Sequence, residues 1–366
     1  MKKSKHNIRQ LSVVWIGAVI SVLGLCLWAE AAPFYEGKSI EVIVAFREGG
    51  GTDVWIRIIA PFLERHIEGN PRIVVRNIPG GQSIHGVNVY YLQSPPDGLH
   101  LLASSGSNYI PALFGQKAVK YDFAKLKPVL VNGVGAVIYV APQLGIKKAE
   151  DLTKAKGRLI YAGISATGND IVSLLGFDLL GLETKEVLGY EGRGPARLAF
   201  ERGESNIDHQ TTPAYAANVV PLVRDGKAIP LMTLGQANEA GEIVRDPAAL
   251  DLPTVPEIYE RVYGKKPSGP HWEAYKNFLT VSYAYQKILW VKPEAPPQAI
   301  DALFKAADRL LEDASFQKKA EKVLEGYPLQ RGDRVEKAVR QAFQISTATR
   351  QFVKEWLQRK YNTKVD

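Results

Sequence analysis

Hydrophobic and polar positions along the chain alternate between the period of a strand and that of a helix. Ser39–Phe46 is rich in β-branched residues and reads as a strand, with Arg47–Thr52 as the loop behind it. Over Asp53–Ile67, the apolar Trp55, Ile58, Ile59, Phe62 and Leu63 recur at helical spacing. Pro61 falls inside that pattern and is expected to kink or end the helix. Arg72–Asn77 and His100–Ser104 read as further strands, Ser83–Leu92 as a helix, and Ser105–Asn108 as a loop opening a short helix toward Phe114. This strand–loop–helix grammar predicts a parallel sheet with right-handed crossovers. Val129–Ala141, with glycines at 133 and 135, reads as paired strands leaving a first lobe.

The same grammar then restarts. Strands are expected at Arg158–Ala162, Lys185–Leu188 and Asn206–Gln210, with helices at Asp170–Leu180 and from Pro195 onward. Ile229–Gly235 and Leu252–Pro256 bring the chain back, and Phe278–Val291 reads as a strand pair or a crossing strand. Ala299–Leu324 and Val335–Tyr361 read as long amphipathic helices. The expected organisation is α/β, with two doubly wound lobes joined by crossing strands near Val140 and Leu252. Residues 32–139 plus 253–366 form a discontinuous first lobe and residues 140–252 an inserted second one.

The first 31 residues stand apart from this pattern. Lys2, Lys3, Lys5 and Arg9 precede an apolar run from Leu11 to Leu27, and Ala29-Glu30-Ala31 supplies the small-x-small motif of an export signal cleaved after Ala31. An uncleaved anchor is the alternative, since the run approaches the ~20 apolar residues of a membrane span. The sole cysteine, Cys26, lies in this leader, so no disulfide or thiolate chemistry is expected beyond it. About 335 residues then remain, enough for two lobes. Losing the leader removes four basic residues and one acidic residue from a chain of formal net charge +8. The other basic residues are scattered without a Lys/Arg run, which argues against nucleic acid and suits an anionic ligand.

The most informative loop is Arg47-Glu48-Gly49-Gly50-Gly51-Thr52-Asp53. Glycines directly after a strand let backbone N–H groups approach a ligand, Thr52 can cap the helix and offer its hydroxyl, and the helix start favours an anion. Neither a phosphate-loop Gly-Lys-Ser/Thr ending nor GxGxxG spacing is present. Asp53 complements the helix dipole, and it could also hold the loop or order a water. Ser165-Ala166-Thr167-Gly168-Asn169 repeats the device in the second lobe, where a plain Ser/Thr cap is the alternative. Ligands of open α/β sheets sit beyond the carboxyl ends of the strands, so both loops would face one cleft, with Ser104, Ser105 and Ser107 on its rim. Arg193, beside a Gly-rich turn, either clamps a carboxylate or is ion-paired.

These segments carry a resemblance. Ile43–Asp53 (IVAFREGGGTD), Val75–Gly81 (VRNIPGG), Pro96–Leu102 (PDGLHLL), Ser104–Asn108, Tyr161–Gly168, Gly189–Ala196 (GYEGRGPA), Leu222–Lys227 and Leu252–Glu257 (LPTVPE) occur in this order. Together they resemble the periplasmic receptors of tripartite tricarboxylate transporters, the TctC or Bug family. The resemblance implies a type II periplasmic-binding fold that closes on a small carboxylate, either a di- or tricarboxylate or an aromatic acid. It implies ligand contacts at Gly51, Thr52 and Asp53 from one lobe and Ser165, Thr167 and Gly168 from the other, with Thr212 and Tyr190 as weaker candidates. It further implies large and small integral-membrane subunits as partners, a monomeric receptor, no cofactor, no metal and no catalysis. Arg47 and Glu48 depart from the small residues usual in the family, and Glu191 replaces a lysine. The Tyr263–Tyr285 region is longer and more aromatic than usual; its Trp272, Tyr275, Tyr283 and Tyr285 point either to an aromatic acid or to core packing.

Two other functions fit parts of the pattern. A ligand-loaded receptor could dock on a membrane kinase as a sensor. A secreted hydrolase would need a serine with a base. However, no GxSxG elbow surrounds Ser104 or Ser165, HExxH is absent, and His85 and His209 stand alone as candidate bases.

Overall fold

The computed structural model describes residues 32–365 other than Gly50, Lys156, Glu191, Glu239 and Glu325; the expected leader and Gly50 therefore lie outside the described residues. The first lobe begins with β1 (Ser39–Val44), α1 (Gly51–His66), β2 (Arg72–Asn77), α2 (Ile84–Gln93), β3 (His100–Ser105), α3 (Gly106–Phe114) and β4 (Lys127–Asn132). The second holds β5 (Ala136–Val140), β6 (Leu159–Gly163), α4 (Asp170–Leu179), β7 (Thr184–Leu188), α5 (Arg193–Glu201), β8 (Ile207–Thr211) and β9 (Ile229–Thr233). A small antiparallel pair follows, β10 (Gln236–Ala237) with β11 (Ile243–Val244). After α6 (Val255–Tyr263) and α7 (Pro270–Leu279), the chain returns through β12 (Lys287–Val291). It ends in α8 (Pro297–Glu312), α9 (Ala314–Leu324), β13 (Leu329–Arg331), α10 (Gly332–Ala342) and α11 (Thr347–Tyr361).

Among the described residues the first sheet runs β13-β4-β12-β3-β1-β2 and the second β7-β6-β8-β5-β9. In each sheet three parallel strands are followed by one antiparallel strand that arrives from the other lobe: β12 in the first, β5 in the second. This exchange corrects two expectations. Val129–Ala141 is not a strand pair, because β4 and β5 belong to different sheets; the chain changes lobe at 133–135, ahead of Val140. Phe278–Val291 is not a strand pair either. It is the end of α7, a π-helical turn at Thr280–Ala284, and then β12.

The return crossing also lies later than Leu252. Helices α6 and α7 stay with the second lobe: Arg261 pairs with Glu150 at 3.0 Å, and Tyr275 packs 3.2 Å from the Cβ position of Gly176 in α4. Asp178 of α4 gathers Trp356 Nε1 at 2.9 Å and His271 at 3.4 Å, which ties α7 and the C-terminal α11 to the same lobe. The chain thus re-enters the first lobe at 280–286. The LPTVPE segment starts α6 as a capping box, with the Glu257 N–H donating to Thr254 Oγ1 and the Thr254 N–H to Glu257 Oε2.

Helix α1 runs unbroken through Pro61, which is exposed, so the missing N–H faces solvent rather than the core. Its buried face, led by Trp55, Ile56, Ile59 and Leu63, packs on β2 and β3 and against α8. The two long C-terminal helices predicted from periodicity are four. Asp313 breaks the first by accepting the Ser315 N–H at 2.7 Å, and Ser346 restarts the second by capping Thr349.

Helix α2 sits so close to β1 that a Cβ on Gly86 would meet the Ile78 carbonyl oxygen, with Ala45 Cα 2.8 Å away. Gly86→Ala is accordingly expected to destabilise the protein by about 1–3 kcal/mol through overpacking. Urea denaturation measures this directly, and a midpoint equal to wild type would contradict the packing described.

Candidate functional site

The carboxyl ends of both sets of parallel strands face a common cleft, as the strand–loop–helix grammar requires. A cavity of about 670 Å³ lies there. From the first lobe it is lined by Gly49, Gly51, Val54, Trp55, Asn132 and Lys287, and from the second by Thr211, Pro213, Ala214, Ala217 and Asn218; Gly133, Val134 and Leu324 complete it. A larger hollow of about 1050 Å³, lined by Arg158, Asn206 and Lys227 among others, lies at the amino ends of β6, β8 and β9. It is remote from both Gly-rich loops, so the interlobe cavity is the better candidate despite its smaller size.

The glycine loop is held from within. Asp53, buried in the first turn of α1, accepts the Gly49 N–H at 2.9 Å, Arg57 Nε at 2.8 Å and Asn77 Nδ2 at 3.0 Å. Burial pushes its pKa up, but these three donors outweigh that and hold it below the ordinary aspartate value. Asp53 is therefore the anchor of the loop rather than a group turned toward a ligand. Gly49 itself adopts φ 76°, a conformation that favours glycine. Thr52 is buried at the helix start, Gly51 is exposed, and so are Arg47 and Glu48.

The second lobe repeats this construction. Asp170, buried in the first turn of α4, accepts the N–H groups of Ile164 at 2.6 Å and Ser165 at 3.1 Å. Ser165 Oγ takes the Thr167 N–H and contacts its hydroxyl, while the Gly168 N–H donates to Ser165 O. The amides of Ser165, Thr167 and Gly168 are thus occupied inside their own loop, and none of the three residues lines the interlobe cavity. The loop instead meets the start of α3: a Cβ on Gly106 would stand 2.9 Å from Asn169 Oδ1.

Arg193 is not a free clamp. Its guanidinium donates to the carbonyls of Ala162 and His209, to the Tyr161 hydroxyl and to the carboxylates of Asp170 and Asp208. The Arg193 head is thereby saturated, locked under the sheet of its own lobe. Thr212 is buried and exchanges hydrogen bonds with Gly135 at the crossing, so its neighbour Thr211 is the one that reaches the cavity. Tyr190 packs on Ala162, Ala196 and Ala199 and leans toward Glu204. Ser105 caps α3 together with Asn108, and it pairs across the sheet with Lys287.

Tyr275, Tyr283 and Tyr285 are buried and, like Trp272, absent from the cavity lining, which supports the packing reading of that aromatic region. His209 is buried between Tyr161, Ser173 and Tyr283; burial, then the Arg193 charge, pushes its pKa well down and keeps it neutral. Among the described residues no three His, Cys, Asp or Glu side chains gather as metal ligands. No helix there is long and apolar enough to cross a membrane.

The residue that sequence reasoning missed is Lys287. It opens β12, half-buried, and a Cβ on Gly51 would lie 3.9 Å from its ammonium. Its ammonium donates to Gln286 Oε1 at 2.9 Å, and burial pushes its pKa down to about 8. The signal was present: Lys287 is the only charged residue between Lys276 and Lys292.

The two-lobe topology, the exchanged strands and the interlobe cavity define a type II periplasmic-binding fold. Solved structures with this architecture include a TctC solute-binding protein from Polaromonas (TM-score 0.63, 17% identity, 88% of this chain and 99% of that one). MatC from Rhodopseudomonas palustris with bound malate has TM-score 0.60 and 18% identity over 87% of this chain and 99% of its own. The periplasmic binding protein BugD has TM-score 0.59 and 18% identity over 89% and 98%. In sequence, the chain is 29% identical over 224 residues to protein BugT of Bordetella pertussis, covering 58% of this chain and 66%, just under two thirds, of BugT. No protein-family model matches the chain. These likenesses bear out the resemblance to the Bug and TctC receptors.

Two outcomes follow from this geometry. Arg193→Met is expected to destabilise the ligand-free protein by about 3–5 kcal/mol, because it strands two buried carboxylates; a variant as stable as wild type would return Arg193 to the list of ligand groups. Lys287 gives a pH signature. The unfolded chain keeps the lysine proton to about pH 10.4, whereas the folded chain keeps it only to about 8. Between these values the unfolded state binds more protons, so stability rises with pH. The ligand-free Lys287→Met variant is expected to melt above wild type at pH 7, with the gap closing toward pH 10. Melting curves across that range test this, and a pH-independent gap would show the ammonium to be fully solvated.

Proposed function

We propose that this chain is an exported solute receptor that captures a small carboxylate between its lobes and delivers it to integral-membrane transporter subunits. The observation that carries this reading is the interlobe cavity, where the start of α1 and the Lys287 ammonium adjoin at the carboxyl edge of the first sheet. The Lys287 ammonium is cationic and the helix start partly so, and among the described residues of the cavity lining no carboxylate faces Lys287, which favours an anionic ligand beside it. Proteins of this architecture hold small carboxylates, malate in MatC and adipate in a second R. palustris protein, which supports an organic anion as the class of solute here without fixing the number of its carboxylates.

The mechanism is closure about the two crossings at 133–135 and 280–286. A carboxylate that satisfies the α1 start and Lys287 while touching Thr211 and Ala214 interacts with both lobes only when they are together. Its differential affinity then favours the closed form. The loop contact between Asn169 and Gly106 closes the cleft at another point of its rim. Export by the leader and recognition by membrane subunits complete the reading, and a monomer suffices for both.

Thermal-shift measurements over aliphatic and aromatic carboxylates test it. A ligand at a hundred times its Kd is expected to stabilise the protein by about 2.7 kcal/mol. Ala217 is exposed and lines the cavity, so Ala217→Trp is expected to obstruct the cavity without harming the fold and to sharply reduce the shift. An undiminished shift in that variant would move the site elsewhere.

A further inference from the structure

The charge distribution around the cavity is lopsided. Lys287 is the only charged residue among its described lining residues. Gly51 and Asn132 flank it: Gly51 at the α1 start, Asn132 paired with it across the sheet. The remaining wall is chiefly apolar: Val54, 44% exposed, and Trp55 on α1, Val134 at the crossing, Pro213 and Ala217 on the second lobe, and Leu324. Val54 offers apolar surface to the cavity that the body of a ligand would cover. At about 670 Å³ the cavity falls in the range that takes a molecule well beyond a bare two-carbon acid.

Resting on the reading of the chain as a carboxylate receptor, we infer that the ligand is a monocarboxylate with an apolar body. Its carboxylate pairs with Lys287 at the α1 start, and its body lies between Val54 and Trp55 on one side and Pro213 and Ala217 on the other. Selection works in both directions. One carboxylate replaces the water lost by the ammonium, forming a charge-assisted hydrogen bond in a poorly solvated site. A second carboxylate along the same body would be carried among Val54, Val134 and Leu324, where the described lining offers no cation, and an unpaired charge is strongly disfavoured there. An uncharged amide of the same shape would leave Lys287 without an anion.

Matched probes test this by isothermal titration of the full-length mature chain: benzoate against terephthalate and benzamide, and hexanoate against adipate and hexanamide. In at least one series the monocarboxylate is expected to bind about tenfold or more tightly than its dicarboxylate, and the amide not to bind. Lys287→Met, with its fold verified by circular dichroism, is expected to weaken the monocarboxylate by about 30-fold or more, and Lys287→Arg to restore part of the loss. Tighter dicarboxylates, or a Lys287→Met variant with unchanged affinity, would overturn the inference while leaving a carboxylate receptor in place. If no carboxylate of either series binds wild type, the broader reading falls with it.

Discussion

Two backbone crossings pressed against each other hold the two lobes of this molecule together. The Val134 N–H donates to Tyr283 O at 2.9 Å, and Gly133 lies where a Cβ would stand 2.9 Å from Ala284 O. Gln236 then reaches the Val134 carbonyl and Thr212 brackets Gly135, where a Cβ would collide with Asp246 and Tyr327. Each crossing strand, β5 or β12, adds itself antiparallel to the other lobe's parallel strands. A single connection would leave the lobes free to twist. Two adjoining ones limit how the lobes can turn against each other, and they bring the carboxyl edges of both sheets toward the same space.

On this frame each lobe uses one carboxylate to shape its loop. Asp53 folds back on Gly49, and Asp170 on Ile164 and Ser165. The likeness ends with what remains available. In the first lobe the anchored loop leaves the start of α1 beside Lys287. In the second, the amides of Ser165, Thr167 and Gly168 are bonded locally, and Arg193 is consumed in tying Asp170 to Asp208. The cavity's positive character therefore comes almost wholly from one lobe, while the other contributes mainly a nonpolar wall and the Thr211 edge.

Much of the architecture was legible in residue order. The strand-then-glycine rhythm located β1, β2, β3 and β6 and the loops after β1 and β6, because such loops need both a β-branched strand before them and a helix cap behind. The lobe boundaries were less legible. A run such as Val129–Ala141 is apolar whether its two strands pair with each other or part for different sheets, and periodicity cannot distinguish the two. The helical path of 278–284 was hidden for a related reason: Thr, Val and Tyr favour strands locally, and packing against the start of α3 and the crossing at Val134 overrides that preference.

The sequence by itself determined the α/β class, the repeated lobe, the glycine loop at the cleft edge and the resemblance to carboxylate receptors. All of these are local patterns or short motifs in fixed order. Only the tertiary structure decided which polar groups remain available to a ligand. Arg193 and Thr212 are close in sequence to the right loops, yet partners 15 to 77 residues away engage them. Lys287, more than 200 residues from the glycine loop, stands beside Gly51 because β12 crosses from the other lobe. Whether a side chain is satisfied depends on long-range neighbours, and those are set by how the strands are exchanged rather than by any stretch of residues.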